Sequence, residues 1–222
     1  MYTIHIYPPG GGIVRKLNRF NNLTMTRSEN ALGALTLTLP MAMVDDRIFK
    51  RDTIFVVEND GRLELETAWF LRNIKRDNLT TSKTVTLTAY DNLYLLGSPE
   101  NKSGRAIPYE DGLEDYTLLL GFADDVLKGL ILRNIGLGVL DDDRDMSDIL
   151  SIDPNYSGGP IIEKDVAKAM LFPVMQEICD SAAAEGTRVF FDIVTASIPR
   201  TLADLRFTFK TYIGIVVWIG LT

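Results

Sequence analysis

Asp141, Asp143 and Asp145 stand at the first, third and fifth positions of what could be a calcium-binding loop. The chemistry would need a glycine at the sixth position for the sharp turn and a bidentate glutamate at the twelfth. Met146 and Ile152 occupy those places, so the loop reads as acidic and solvated. Glu64 and Glu66 are a second candidate, since paired carboxylates can run glycoside hydrolysis at a suitable separation. Two residues apart on a strand they share one face, with Leu63, Leu65 and Trp69 on the other, which reads as ordinary solvent-facing alternation. His5 is the single histidine and Cys179 the single cysteine, which leaves little material for a histidine-based triad, a transition-metal centre or a disulfide. His5 lies in a strand pattern, and Cys179 sits beside Met175 and Ile178 at a helical, buried position. Gly10-Gly-Gly12 opens no helix and no Lys-Ser/Thr follows it, so it is not a phosphate loop. We therefore expect no catalytic, metal or cofactor site, and a protein that is not an enzyme.

Composition points the same way. A net charge of −7 disfavours a general nucleic-acid binder, which carries a basic face. Arg72, Lys75 and Arg76 come close together but read as a solvated strand end. With 222 residues the chain can form one large domain or two small ones. No basic start and apolar core segment mark a secretory signal, so the Asn-x-Ser/Thr triplets at Asn22, Asn78, Asn101 and Asn155 read as polar turns. The apolar run over 212–221 falls short of the roughly 20 residues a bilayer span needs. It reads as a buried strand or an interface.

The elements that would position any site fall into two textures. The first half is rich in strands. Leu35, Leu37 and Leu39 alternate with Ala34, Thr36 and Thr38, and Val85, Leu87 and Ala89 repeat the device. Residues 23–27 should pair with 34–39. Ile54 to Val57 is apolar on both faces and reads as a central strand. Asn59-Asp-Gly61 is a turn signal between two hairpin arms, the second carrying Leu63, Leu65, Trp69 and Leu71 on one face. Asp91 should cap a short helix over 92–96. After residue 111 helical spacing takes over. Phe122, Val126 and Leu130 line one face of a helix expected over 118–135, with Asp124, Asp125, Lys128 and Arg133 outside and Gly136 as its stop. A second helix should follow the break at 158–160, with Pro173 near its first turn, Val174, Ile178 and Ala182 in line, and Gly186 at its end. Strands are expected over 188–194 and 205–210.

The order of these segments resembles the tail-hub (baseplate hub, tail-associated) proteins of long-tailed, siphovirus-type bacteriophages. The resemblance is carried by Asn30-Ala-Leu-Gly-Ala-Leu-Thr-Leu-Thr-Leu-Pro40, and by Trp69-Phe-Leu-Arg72 leading to Leu87-Thr-Ala-Tyr-Asp-Asn-Leu-Tyr-Leu-Leu96. Ala123-Asp-Asp-Val-Leu-Lys128 with Asn134-Ile-Gly136 follows, then Val174-Met-Gln-Glu-Ile-Cys-Asp-Ser181, Glu185-Gly186 and Phe190-Phe-Asp-Ile-Val194. It covers most of the chain to about Tyr212. It implies a structural component of the virion at the tail tip, assembled in the bacterial cytoplasm. Such a hub closes and extends the tail tube and links it to fibres or a spike. The implied state is a homotrimer. Its implied neighbours are the distal tail protein ring, the tape measure protein and tail fibre or spike proteins, with viral DNA passing through the lumen without specific binding. Similar proteins continue in a further strand-rich portion after the 207–214 region; here the chain turns into the apolar run and stops.

The expected fold is α+β: a β-rich barrel or sandwich domain over 1–97, resembling hub and tube folds, then a smaller α+β domain over 98–222 with two helices and a C-terminal strand pair. For subunit contacts the reading points to the polar 101–105 loop, with Asn101 and Arg105, and to the apolar end, with Val216 and Trp218. Two rivals come from other classes: a carbohydrate- or receptor-binding β-module of a virion, and a hydrolase using Glu64 or the acidic loop.

Overall fold

A computed structural model describes residues 1–11, 14–78, 83–97, 117–137, 144–166 and 169–215. The chain divides into two compact units, Met1–Tyr94 with Ile193–Phe207, and Leu95–Asp192 with Thr208–Thr222.

The first unit is built on β1 (Tyr2–Tyr7), β2 (Arg15–Leu17), β3 (Asn22–Ser28), β4 (Ala31–Pro40), β5 (Ile54–Asn59), β6 (Arg62–Asn78) and β7 (Lys83–Tyr90). They form one antiparallel sheet in the order β2-β1-β5-β6-β7-β4-β3. The leucine alternation sets its inner face: Leu35, Leu37 and Leu39 of β4 and Leu87 of β7 are fully buried, with Leu37 opposite Leu87. All seven strands contribute to one apolar cluster, down to Leu17 on one edge strand and Leu23 and Met25 on the other. Laid flat, seven strands at about 4.8 Å spacing would span roughly 29 Å. Among the described residues the members from outside the strands, Phe20, Met41, Val44, Ile48 and Phe49, are too few to cover that width. The strands bury one another's side chains, which requires the sheet to curl. It nevertheless stays open, with β2 and β3 as its edges, so the expected β-rich domain takes the form of a curled sheet and not a closed barrel.

The Asn59-Asp-Gly61 signal gives a two-residue hairpin turn with positive φ at Asp60 (49°) and Gly61 (82°), as its twist demands. β5 is buried on both faces, as its sequence indicates. Its second face belongs to the side covered by the returning segment Ile193–Phe207. There the Tyr7 hydroxyl donates to the Pro199 carbonyl at 2.6 Å, and Phe70 packs on Phe207 with ring centres 6.1 Å apart. Burial, with the charges of Asp204 and Glu58, pushes the Tyr7 phenol up to about 12. Asn92 completes the attachment. Its Oδ1 accepts from the Ala68 amide at 3.1 Å, and its Nδ2 donates to the Ile193 carbonyl at 2.8 Å and to Thr195 Oγ1 at 3.1 Å.

Asp91 caps the short 3₁₀ helix (Asn92–Leu96) by accepting from the Leu93 amide at 3.1 Å. Its other oxygen accepts from the Gly33 amide at 2.9 Å. A Cβ at residue 33 would lie 2.5 Å from that oxygen, which explains the glycine.

The second unit holds β8 (Thr117–Phe122), α1 (Ala123–Ile135), β9 (Leu150–Ile152), β10 (Ile161–Val166), α2 (Leu171–Ala184), and most of β11 (Thr187–Thr195) and β12 (Phe207–Ile215). β8 and β10 form a two-stranded antiparallel sheet, and β11-β12-β9 a three-stranded one. Leu127, Ile131 and Ile135 of α1 and Leu171, Met175 and Ile178 of α2 are fully buried. Phe172, Phe191 and Phe209 join α2 to β11 and β12, with centres 5.9 and 6.3 Å apart. Pro173 is the third residue of α2, and Val174, Ile178 and Ala182 are buried along it, as the spacing predicts. The α+β class therefore holds.

The expected helix over 118–135 is shorter. Residues 118–122 are strand, because each residue from Thr117 to Phe122 stands opposite a residue of β10 in an antiparallel register and Gly121 adopts a φ of 148° that no helix contains. β9 and β10 are elements the sequence reading lacks.

Candidate assembly surface

The two faces of the β8–β10 sheet differ sharply. Leu119, Ile162 and Val166 point inward and are buried, while Lys164 on the same face pairs with Glu177 of α2. The outer face carries Leu118, Leu120 and Phe122 from β8, and Ile161, Glu163 and Asp165 from β10. Cross-strand partners are Leu118 with Asp165, Leu120 with Glu163, and Phe122 with Ile161. Leu120 is 64 % exposed, Ile161 63 %, Leu118 41 % and Phe122 39 %. One row is thus apolar and open to solvent, and the row beside it ends in two carboxylates. Glu163 and Asp165 are exposed and have no ion-pair partner among the described residues. Both strands are edges, each with one side of its backbone unpaired in the sheet.

A polar strap holds this sheet against α1. Asp124 and Asp125 lie in the first helical turn, where carboxylates meet the positive end of the helix dipole. Asp124 Oδ1 accepts from the Gly158 amide at 2.7 Å, and its Oδ2 from the Tyr156 amide at 3.0 Å and Lys128 Nζ at 3.1 Å. Asp125 accepts from the Ser157 amide and hydroxyl at 3.2 and 3.1 Å. The Ala123 amide donates back to the Pro160 carbonyl at 2.9 Å. Lys128 Nζ also lies 4.2 Å from the centre of the Tyr156 ring and donates to the Pro154 carbonyl. Burial raises the Asp124 carboxyl, but the two backbone donors and Lys128 outweigh it and hold it below the usual carboxylate range. Asp124 and Lys128 are therefore buried partners, not members of an outer polar side as their spacing suggests. Together they fix residues 154–160, the segment that delivers β10 to β8.

The other sequence candidates resolve individually. Glu64 and Glu66 do not share a regular strand face. Residues 64–67 stand opposite the single Val57 in a bulge of β6, with φ of 57° at Leu65 and 47° at Glu66. Left-handed backbone at two side-chain-bearing residues costs of order 1 kcal/mol each. Arg27 Nη1 donates to the Leu65 carbonyl at 2.8 Å, and Leu65 is exposed instead of following Trp69 and Leu71 inward. His5 is buried, with Nε2 2.6 Å from Glu58 Oε2. Cys179 is buried in α2, where burial, then the Asp180 charge, pushes its thiol up to about 12. Asp141 and Asp143, and the expected contact residues Asn101, Arg105, Val216 and Trp218, lie outside the described residues. Among the described residues no cluster of three or more His, Cys, Asp or Glu side chains could hold a metal, and no helix is long and apolar enough to cross a membrane.

No family model matches this sequence, and no curated protein matches it. Solved structures share its fold. The prophage tail protein gp18 from Listeria monocytogenes EGD-e superimposes with a TM-score of 0.52 at 10 % identity, over 93 % of this chain and 49 % of that one. A tail protein from Neisseria meningitidis MC58 gives 0.52 at 10 % identity, over 94 % and 50 %. The chain has the fold seen in these phage tail proteins and spans about half their length.

Proposed function

We propose that the chain is a non-enzymatic structural component of a bacteriophage tail, placed at the tail tip as a hub. In that role it closes and extends the tube and links it to fibres or a spike. The observation that carries this reading is an apolar sheet face left open on a chain with the fold of tail proteins. A soluble monomer has little reason to leave four large apolar side chains together on one strand pair, whereas a subunit of an assembly does. The buried strap beneath the face keeps it in one geometry, as a docking surface requires. The neighbours on this reading are further copies in a trimer, the distal tail ring, the tape measure protein and fibre or spike proteins. A chain of net charge −7 suits a wall past which DNA slides, because like charge limits sticking of phosphates.

The test is immunogold labelling of intact particles with an antibody to this chain. Gold confined to the tail tip is the expected result. Absence of gold from particles whose epitope is shown to be accessible overturns the reading.

A further inference from the structure

We propose that the outer face of the β8–β10 sheet docks a partner protein that presents an apolar row flanked by lysine or arginine, and that it turns away a second copy of itself. The proposal rests on the assembly role above and names the chemistry of its partner. Its basis is the pairing of Leu118 with Asp165 and Leu120 with Glu163, which sets an exposed apolar row beside an exposed acidic one.

Two copies can meet face to face in two ways. With β10 over β10, Glu163 and Asp165 of one copy confront the same carboxylates of the other, and like charges repel. With β10 over β8, the carboxylates are pressed onto Leu118 and Leu120 and lose water with no compensating partner. Joining the β8 edges side by side avoids both problems but extends the apolar face instead of covering it. A partner whose apolar residues sit over β8 and whose cations sit over β10 meets each row with its complement. Neither carboxylate must first break an internal ion pair, since neither has one among the described residues. Lys164 cannot neutralise them, because its side chain is on the inner face with Glu177. The acidic row thus acts as the selective element and the apolar row as the source of affinity.

The face can be tested with the protein alone. The double variant Glu163→Lys, Asp165→Lys converts it into an apolar–basic face and breaks no ion pair among the described residues. Mixed with the wild type, it should form a 1:1 species by sedimentation velocity and native mass spectrometry. That species should bind at least about tenfold more tightly than either chain binds itself through this face. It should weaken as salt rises and vanish when Leu120→Ser is added to either partner. Two results overturn the proposal: no mixed species, or wild-type self-association of equal strength that Leu120→Ser abolishes. Circular dichroism of each variant verifies that it is folded. Gold labelling at the tail without the mixed species removes only this partner chemistry. The mixed species without gold on particles leaves the face's preference standing and removes the tail role.

Discussion

Leu35, Leu37 and Leu39 of β4 and Leu118 and Leu120 of β8 are spaced two apart along one face of a strand and end in opposite environments. The first three are fully buried, and the other two are 41 % and 64 % exposed. The difference lies in what each sheet can do with its own strands. Seven strands can curl until their apolar face covers itself. Two strands cannot, and a lone pair is at best marginally stable without something packed on it. β8 and β10 have α1 and α2 beneath one face, and the other carries Leu118, Leu120, Phe122 and Ile161 exposed. The lesson is that alternation fixes which residues share a face but not whether that face is closed within the unit.

The comparison breaks most sharply at the strap, because the small sheet depends on a buried charge pair where the large one depends on area. Asp124→Asn should turn an acceptor of three hydrogen bonds into a group that cannot satisfy them. It leaves Lys128 uncompensated, at a cost of about 3 kcal/mol or more in urea unfolding at pH 7. The loss has a pH signature. Asp124 is held below its unfolded value of about 3.9, so its contribution is complete above that pH. As pH falls through the lowered folded value, the unfolded chain takes up the proton first and the contribution drains away. Wild type and variant should therefore converge in acid; a gap as wide at pH 2 as at pH 7 would refute the assignment.

Leu37→Ala probes the other side of the comparison. It opens a cavity opposite Leu87 in a fully buried layer and should cost about 2–5 kcal/mol by the same measurement, with no pH signature. Asn92→Ala should cost somewhat less, about 1–3 kcal/mol, by leaving the Ala68 amide buried without its acceptor. Hydrogen exchange should then show faster opening at Ala68 and over 193–195. Unchanged exchange there would mean that Asn92 does not hold the returning segment.

Much of the large sheet was legible because its signals are local. The leucine alternation, the Asn59-Asp-Gly61 turn and the doubly apolar Ile54 to Val57 each state their own geometry. The reading failed where distant residues decide. Leu118 and Phe122 fit a helix period, and only the pairing with β10 makes them strand. Asp124 and Lys128, four apart, look like a surface ion pair until residues 154–159 fold over them. Nothing local marks 193–207 as belonging with the first unit, and the left-handed turn at Leu65 and Glu66 interrupts a pattern that would otherwise continue. Ile161-Ile-Glu-Lys-Asp-Val166 shows no apolar–polar alternation, so nothing local marks it as the strand that pairs with β8.

Leu120→Ser should have the smallest effect on folding and the largest on association. Leu120 gives up little on truncation because it is already mostly in water, so stability should fall by less than about 0.5 kcal/mol. That is several-fold below Leu37→Ala, although both remove a leucine from one face of a strand. Only a partner can make position 120 expensive, because the free energy of covering Leu120 is realised on docking and not on folding. The paired measurement separates the two kinds of face: Leu37→Ala shifts the urea midpoint and spares association of the folded fraction, and Leu120→Ser does the reverse. A stability loss at Leu120 comparable to that at Leu37 would mean that the β8–β10 face is covered within the chain, and the contrast between the two sheets would fail.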